Sequence, residues 1–259
     1  MAAIIRKVLQ AFQRKKAPPL ACYRPLDEDE NHVHTAACFL DVQSLALAEL
    51  FQAQGCASCP PAIPGILEAT AHPNVQHLTY DVTYFDNQYK DPFGSPRWDQ
   101  RQKAYARKWG RTNLYTPMVV VNGVADGGSQ GGSKAEIDDV VHKAREAMHA
   151  HMDWHIFLDA NDTHVRIDTD KAETTKHDVL VIVYEDSSET IKIAKGPNKG
   201  KKVVHKNVVK DIAKIGEWEG GDLVLPLPMS PAQMAPGTAA VAIVQEAMGG
   251  PVIAVCKIV

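Results

Sequence analysis

Cys56 and Cys59 are separated by Ala57-Ser58 and followed by Pro60-Pro61, just after the apolar run Leu45-Ala46-Leu47-Ala48-Glu49-Leu50-Phe51. Two thiols at this spacing, between a strand-like run and a helix start, can meet in one small disulfide loop. A cysteine at a helix N-terminus also faces unpaired backbone N–H groups and the positive end of the helix dipole, which favour thiolate over thiol. The chemistry this points to is thiol–disulfide exchange with a protein or small-molecule disulfide or thiol. The same two thiolates suit a second reading, a copper(I) or zinc module. That reading is weaker, because no second C-x-x-C or well-spaced Cys/His pair completes a four-ligand zinc site. A third is an interaction protein that keeps a redox fold as scaffold. No P-loop, G-x-G-x-x-G after a strand, H-E-x-x-H or G-x-S-x-G is present, and no cofactor is called for.

The pair must be held by elements on either side of it. A strand is predicted within 43–51 and a helix within 60–71, where Pro60 and Pro61 are tolerated in the first turn and Pro64 bends or shifts the remaining turns. Val75 to Tyr84 reads as a strand and Arg97 to Trp109 as an inserted helix. Met118 to Val121 is a short buried strand ended by Asn122-Gly123, and Ser133 with Glu136 forms a capping-box pattern before a helix over 135–150. After Met152 the pattern turns to strands: a hairpin of 155–158 and 164–167 about Asn161-Asp162, then 179–185, 190–194, 223–227, 239–245 and 252–258. Lys206 to Ile215 is the one stretch there that reads as helical or ambiguous. The lysine-rich segment from Lys195 to Lys206 reads as a solvated hairpin loop, with an anionic partner as the alternative.

The chain has 259 residues, 45% hydrophobic and 23% charged, with a net charge of −3. This is enough for a real core, and it gives no electrostatic reason to expect nucleic acid. No apolar run approaches the ~20 residues of a transmembrane helix. Five cysteines, with Cys22, Cys38 and Cys256 isolated, are too scattered for a disulfide scaffold. Residues 1–37 form a basic segment and flexible lead-in, with Ile4, Ile5, Val8, Leu9 and Phe12 at helical spacing and His32 and His34 in a solvated loop. The segment lacks the apolar core and cleavage site of a secretory signal. The expected location is intracellular and cytoplasmic, with the mitochondrion as the alternative because of the basic N-terminus.

Other segments extend the motif: Asp81-Val82-Thr83-Tyr84-Phe85-Asp86, Lys90 to Pro96, Arg101 to Tyr105, Tyr115-Thr116-Pro117-Met118-Val119-Val120-Val121-Asn122-Gly123, and in the C-terminal part Asn207 to Asp211 and Gly216-Glu217-Trp218. Together with Phe51 to Ala62 they resemble a thioredoxin-like family of unknown function, whose bacterial members are often predicted to be secreted, over roughly residues 44 to 259. The resemblance implies an α/β (α+β) fold: a thioredoxin-like domain over 38–152 with a helical insertion, then a β-rich domain over 153–259, a small antiparallel sandwich or barrel. It also implies that Cys56 is the attacking thiolate and Cys59 the resolving thiol, with Pro117 in a cis peptide bond opposite them and Thr116 presenting its backbone to substrate. It supplies no substrate. Asp81 and Asp86 are candidates to take the Cys59 proton. Lys90, Asp91 and Arg101 are candidates for an ion-pair network. Tyr84 leads a set of aromatic residues (Phe85, Tyr89, Phe93, Trp98, Tyr105) that line a groove or pack the core.

Overall fold

A computed structural model describes residues 45–87, 89–151 and 154–258. The basic N-terminal segment and lead-in, with Cys22, Cys38, His32 and His34, lie outside the described residues. The element that organises the rest is β1 (Ala46–Gln52), buried at every position. A strand buried on both faces has no polar side to alternate with, so it reads as a nearly continuous apolar run. β1 pairs in parallel with β2 (Val75–Asp81) and antiparallel with β3 (Met118–Val121). The chain between them supplies α1 (Cys59–Ala69) and α2 (Pro96–Lys108), and after β3 come β4 (Ala125–Gly127) and α3 (Lys134–His151).

The helices begin where local chemistry permits. Pro60 and Pro61 occupy the first turn of α1, where a missing N–H costs no intrahelical bond. Ser95 caps α2 by accepting from Arg97 N, with Pro96 again in the first turn. Ser133 accepts from Glu136 N ahead of α3. The Glu136 carboxylate takes the N–H groups of Gly128, Gln130 and Gly132, so the capping pattern orders the preceding loop as well.

The strands after α3 are β5 (Ile156–Ala160), β6 (His164–Thr169), β7 (His177–Lys192), β8 (Lys202–Trp218), β9 (Leu223–Pro226), β10 (Thr238–Gln245) and β11 (Val252–Ile258). They do not close on themselves. β7, β8, β10 and β11 extend the first sheet into eight strands, in the order β11-β10-β7-β8-β2-β1-β3-β4, and only β5, β6 and β9 form a separate sheet. The joint is one bridge, Thr79 to Val208, reinforced by Thr79 Oγ1 donating to Lys206 O at 2.6 Å and Asn207 Nδ2 donating to His77 O at 3.0 Å. The expected boundary at 152 is therefore crossed by hydrogen bonds, and Ser44–Val259 forms one compact unit. β7 explains how one sheet serves two cores. Leu180 and Ile182 join the core that holds the cysteines, while Val179 and Val181 join a second core with Leu158, Val165, Ile167 and Trp218.

The stretch read as helical or ambiguous, Lys206 to Ile215, is strand. The physical reason lies in two bulges where β8 carries an extra residue, Lys210 between the pairs Val183–Asp211 and Tyr184–Val209, and Ile215 between Val179–Gly216 and Leu180–Lys214. Those bulges break the period-two pattern that would have marked β8. The strands expected at 179–185 and 190–194 are one strand, β7, running through a polar middle.

A buried ion pair inside the first half gives the second half a polar anchor through Gln245 of β10. Arg101 on α2 forks onto Glu49 of β1, Nε to Oε1 at 2.6 Å and an Nη to Oε2 at 3.1 Å. Tyr105 Oη also donates to Glu49 Oε2, and Gln245 of β10 joins through Arg101 at 3.3 Å and Tyr105 at 3.1 Å. Glu49 is fully buried and Arg101 nearly so. Removing one member of such a pair strands the other charge in a low-dielectric interior. Arg101→Leu is accordingly expected to lower the unfolding free energy by about 3–5 kcal/mol, measured by urea titration; a loss below about 1 kcal/mol would contradict the assignment.

Candidate functional site

β1 ends at Gln52 and the chain turns through Ala53, Gln54 and Gly55 into Cys56. Gly55 is required by close approach, since a Cβ there would stand 2.9 Å from Phe85 Cβ and 3.0 Å from Phe85 O. α1 starts at Cys59 with no side-chain cap from Ser58, and Pro60 and Pro61 have no N–H to offer. The N–H groups of Ser58 and of Cys59, the latter also reaching Cys56 O at 3.4 Å, act on the Cys56 sulfur.

The two cysteines, both free thiols, are separated electrostatically. Cys56 is lowered to about 6: the hydrogen bond from the Cys59 thiol contributes most, burial opposes it, and Thr116 with the Ser58 and Cys59 N–H groups adds to the lowering. Cys59 is fully buried and is pushed well above the ordinary thiol range, first by burial and then by its bond to Cys56 and the Cys56 charge. One sulfur is thus held as thiolate near neutral pH and the other as thiol.

The Thr116–Pro117 peptide bond is cis. In the thiol state Cys56 Sγ donates to Thr116 O at 3.3 Å. Thr116 Oγ1 is buried with no hydrogen-bond partner, and it lies where it stabilises negative charge on either sulfur. A hydroxyl without a partner while Cys56 is a thiol has an acceptor once Cys56 ionises. Tyr84 stands at the same place, 37% exposed. Burial raises its phenol, Gln102 and Thr116 partly offset that, and the Cys59 and Cys56 charges raise it further.

The structure therefore brings Cys56, Cys59, Thr116, Pro117 and Tyr84 together. It places Asp81 and Asp86 differently. Asp81 is fully buried in a network with Gln52 (3.1 Å) and His205 (3.2 Å), and Asp86 Oδ1 accepts from Asp91 N at 3.1 Å. The largest influences on Cys59 are burial, Cys56, the Ala53 backbone and Thr116, ahead of either acid. Of the expected ion-pair network, Arg101 pairs with Glu49, Lys90 is exposed, and Asp91 accepts from Gln54 N at 2.8 Å and Phe93 N at 3.1 Å. Trp98 and Tyr105 are core residues, while Phe93 lies tilted against His205 with ring centroids 4.7 Å apart.

Gln52, Gln54, Asn198 and His205 went unremarked in the sequence. Asn198, at the β7–β8 hairpin tip and fully buried, donates through Nδ2 to Gln54 O (2.9 Å) and Cys56 O (2.6 Å). His205 lies between two carboxylates: burial opposes its charge, but the Asp81 hydrogen bond and the Asp81, Asp91 and Glu189 charges prevail and raise it. Gln52 Nε2 and Gln54 Nε2 approach its two ring nitrogens at 3.0 and 3.3 Å. A neutral imidazole accepts at one nitrogen and an imidazolium at neither, so at least one amide must turn its oxygen to the ring.

Among the described residues no group of three or more His, Cys, Asp and Glu is placed to hold a metal ion, and no helix is long and apolar enough to cross a membrane. Cys256 on β11 is a lone thiol pushed up to about 12 by burial.

Residues 47–245 match a family described as "Protein of unknown function (DUF1223)". The chain belongs to the DUF1223 family. This DUF1223 protein is similar to a crystal structure of an Agrobacterium tumefaciens protein, at 27% identity over 83% of this chain and 93% of that one, with a TM-score of 0.64. A second solved structure, HBP35 of Porphyromonas gingivalis, is 12% identical over 83% of this chain and 74% of that one, with a TM-score of 0.49. No curated protein matches the sequence.

Two outcomes are expected of this DUF1223 site. Thr116→Val should raise the Cys56 pKa by ~1 unit, the value of one hydrogen bond to a charged group, read from the pH dependence of site-resolved alkylation; an unmoved titration would remove Thr116 from the thiolate's support. Burial, followed by the Asp81 charge, raises Asp91 from 3.8 to about 6. A group whose folded pKa is raised contributes stability that is full below the unfolded value and lost as pH rises through the folded one. Wild-type stability relative to Asp91→Asn should therefore fall by about 3 kcal/mol between roughly pH 4 and pH 7. A constant difference across that window would show that Asp91 does not titrate there.

Proposed function

We propose that this protein is a thiol–disulfide oxidoreductase on a thioredoxin-like scaffold, with Cys56 as nucleophile and Cys59 as resolving thiol. The observation that carries the reading is the opposite displacement of the two thiols, Cys56 down to about 6 and Cys59 well up. A pair that only packed in a core would have both thiols raised by burial. The element order of strand, helix, strand, inserted helix, strand, helix, with a cis proline opposite the pair, is that of the thioredoxin-like resemblance in the sequence.

In the reducing direction the Cys56 thiolate attacks one sulfur of a substrate disulfide. A Cys56–substrate disulfide forms and the other substrate sulfur leaves as thiolate, taking a proton from solvent. Cys59 then loses its proton and attacks Cys56 Sγ, which closes the Cys56–Cys59 disulfide and releases the second substrate thiol. The pair is oxidised by two electrons and the disulfide is reduced to two thiols. The same steps in reverse oxidise a dithiol. The high pKa of Cys59 suits this order, since the mixed disulfide removes the Cys56 charge that holds the Cys59 proton in place.

In a single-turnover assay of fully reduced protein with a model disulfide, Cys56→Ser should abolish reduction. Cys59→Ser should accumulate a mixed disulfide visible by intact mass. Wild-type rates in Cys56→Ser would refute the assignment.

A further inference from the structure

The β7–β8 hairpin is the most unevenly charged part of the chain. Residues 190–210 hold seven lysines and no Asp or Glu, in a protein whose net charge is −3. Among the described residues only Lys210 of these is paired with a carboxylate, Glu185 at 2.7 Å. Lys195, Lys199, Lys201 and Lys202 are exposed at the tip.

The tip is not a loose loop. Ile193 N donates to Lys201 O, Gly200 N to Ile193 O, Lys199 N to Gly196 O and Lys201 N to Asn198 O, all at 2.8–3.1 Å, and Ile193 is buried in the core. Asn198 pins this tip to the redox loop through the carbonyls of Gln54 and Cys56. Lys201 Nζ sits 3.0 Å from Asn198 Oδ1, so an ammonium lies two hydrogen bonds from the Cys56 backbone. The acids of this region, Asp81 and Asp91, are buried against His205, and Glu189 lies on β7 opposite His205. The lysines are not among the groups that set the Cys56 thiol.

Resting on the redox reading above, we infer that the hairpin tip, with Lys195, Lys199 and Lys202 held beside Cys56 by Asn198, selects disulfides that carry carboxylates near the S–S bond. The carboxylates could belong to a low-molecular-weight disulfide or to acidic residues flanking a polypeptide disulfide. Unpaired cations on a fixed tip concentrate an anionic partner and speed its encounter.

The test uses the full reduced chain and three disulfides of similar size: dithiodipropionate (a dianion), hydroxyethyl disulfide (neutral) and cystamine (a dication). Each single-turnover rate is divided by that of the same disulfide with dithiothreitol, which corrects for intrinsic reactivity. The dianion should exceed the neutral compound by about tenfold or more at low ionic strength, with the dication slowest. The advantage should shrink as salt shortens the Debye length. The triple variant Lys195→Gln, Lys199→Gln, Lys202→Gln, checked for an unchanged thermal melt, should bring the ratio toward one. Equal normalised rates for the three compounds, or a ratio that survives the triple variant, would overturn the inference while leaving the redox reading intact. Failure of all three to react would overturn both. Glu-flanked and Ser-flanked cystine peptides separate the two sources: preference for the Glu peptide places the carboxylates on a polypeptide, and preference confined to the small dianion places them on a low-molecular-weight disulfide.

Discussion

The constraint on which this structure depends is the burial of polar residues along one central strand and the loop it runs into. Glu49, Gln52 and Gln54 are all fully buried, within eight residues of Cys56. Each must be matched by a partner or leave an unsatisfied group in a low-dielectric interior. The partners come from everywhere else: Arg101 and Tyr105 from α2, Gln245 from β10, His205 from β8, Asp91 from the insertion before α2 and Asn198 from the hairpin tip. The strand that delivers the thiols is therefore also the strand that obliges the C-terminal half to pack where it does. The eight-stranded sheet expresses the same requirement in backbone hydrogen bonds, at the single bridge between β2 and β8.

That arrangement has a chemical consequence. A loop held by Asn198 at two carbonyls and by Asp91 at the Gln54 N–H keeps the Ser58 and Cys59 N–H groups and the Thr116 hydroxyl directed at the Cys56 sulfur. Preorganised dipoles stabilise developing charge without having to reorganise when it appears. Burial alone would have raised both thiols. The local donors reverse the effect at Cys56 and not at Cys59, and the proposed sequential attack rests on that asymmetry.

Much of this was legible from the chain. Strands β3 and β11 and the three helices could be read to within a few residues from apolar periodicity, capping residues and turn signals, because local rules and the final fold agree there. The C-x-x-C, Tyr84 and Thr116-Pro117 were visible as a constellation for the same reason. β8 was not, because bulges at Lys210 and Ile215 disrupt the alternation that identifies a strand. The buried partners were hidden by distance: Gln54 meets Asp91 37 residues on, and Asn198 reaches Cys56 across 142. A signal did exist for Glu49, a charge inside an apolar run that must find a countercharge. Arg101 was picked out for an ion pair but matched to Lys90 and Asp91, since nothing in the sequence says which acid a helix will face. Asn198 sat unnoticed in a Gly-, Pro- and Lys-rich stretch whose composition reads as solvated loop, though its side chain is among the most buried in the protein.

The central claim, that Cys56 and Cys59 form a working redox couple, is tested most directly by the reduction potential of the pair in graded thiol–disulfide buffers, followed by mass-resolved thiol labelling. The account predicts a reversible two-electron transition with a midpoint between roughly −120 and −270 mV, the span of known dithiol oxidoreductases. A pair that never closes to a disulfide, or one that no physiological dithiol can reopen, would contradict it.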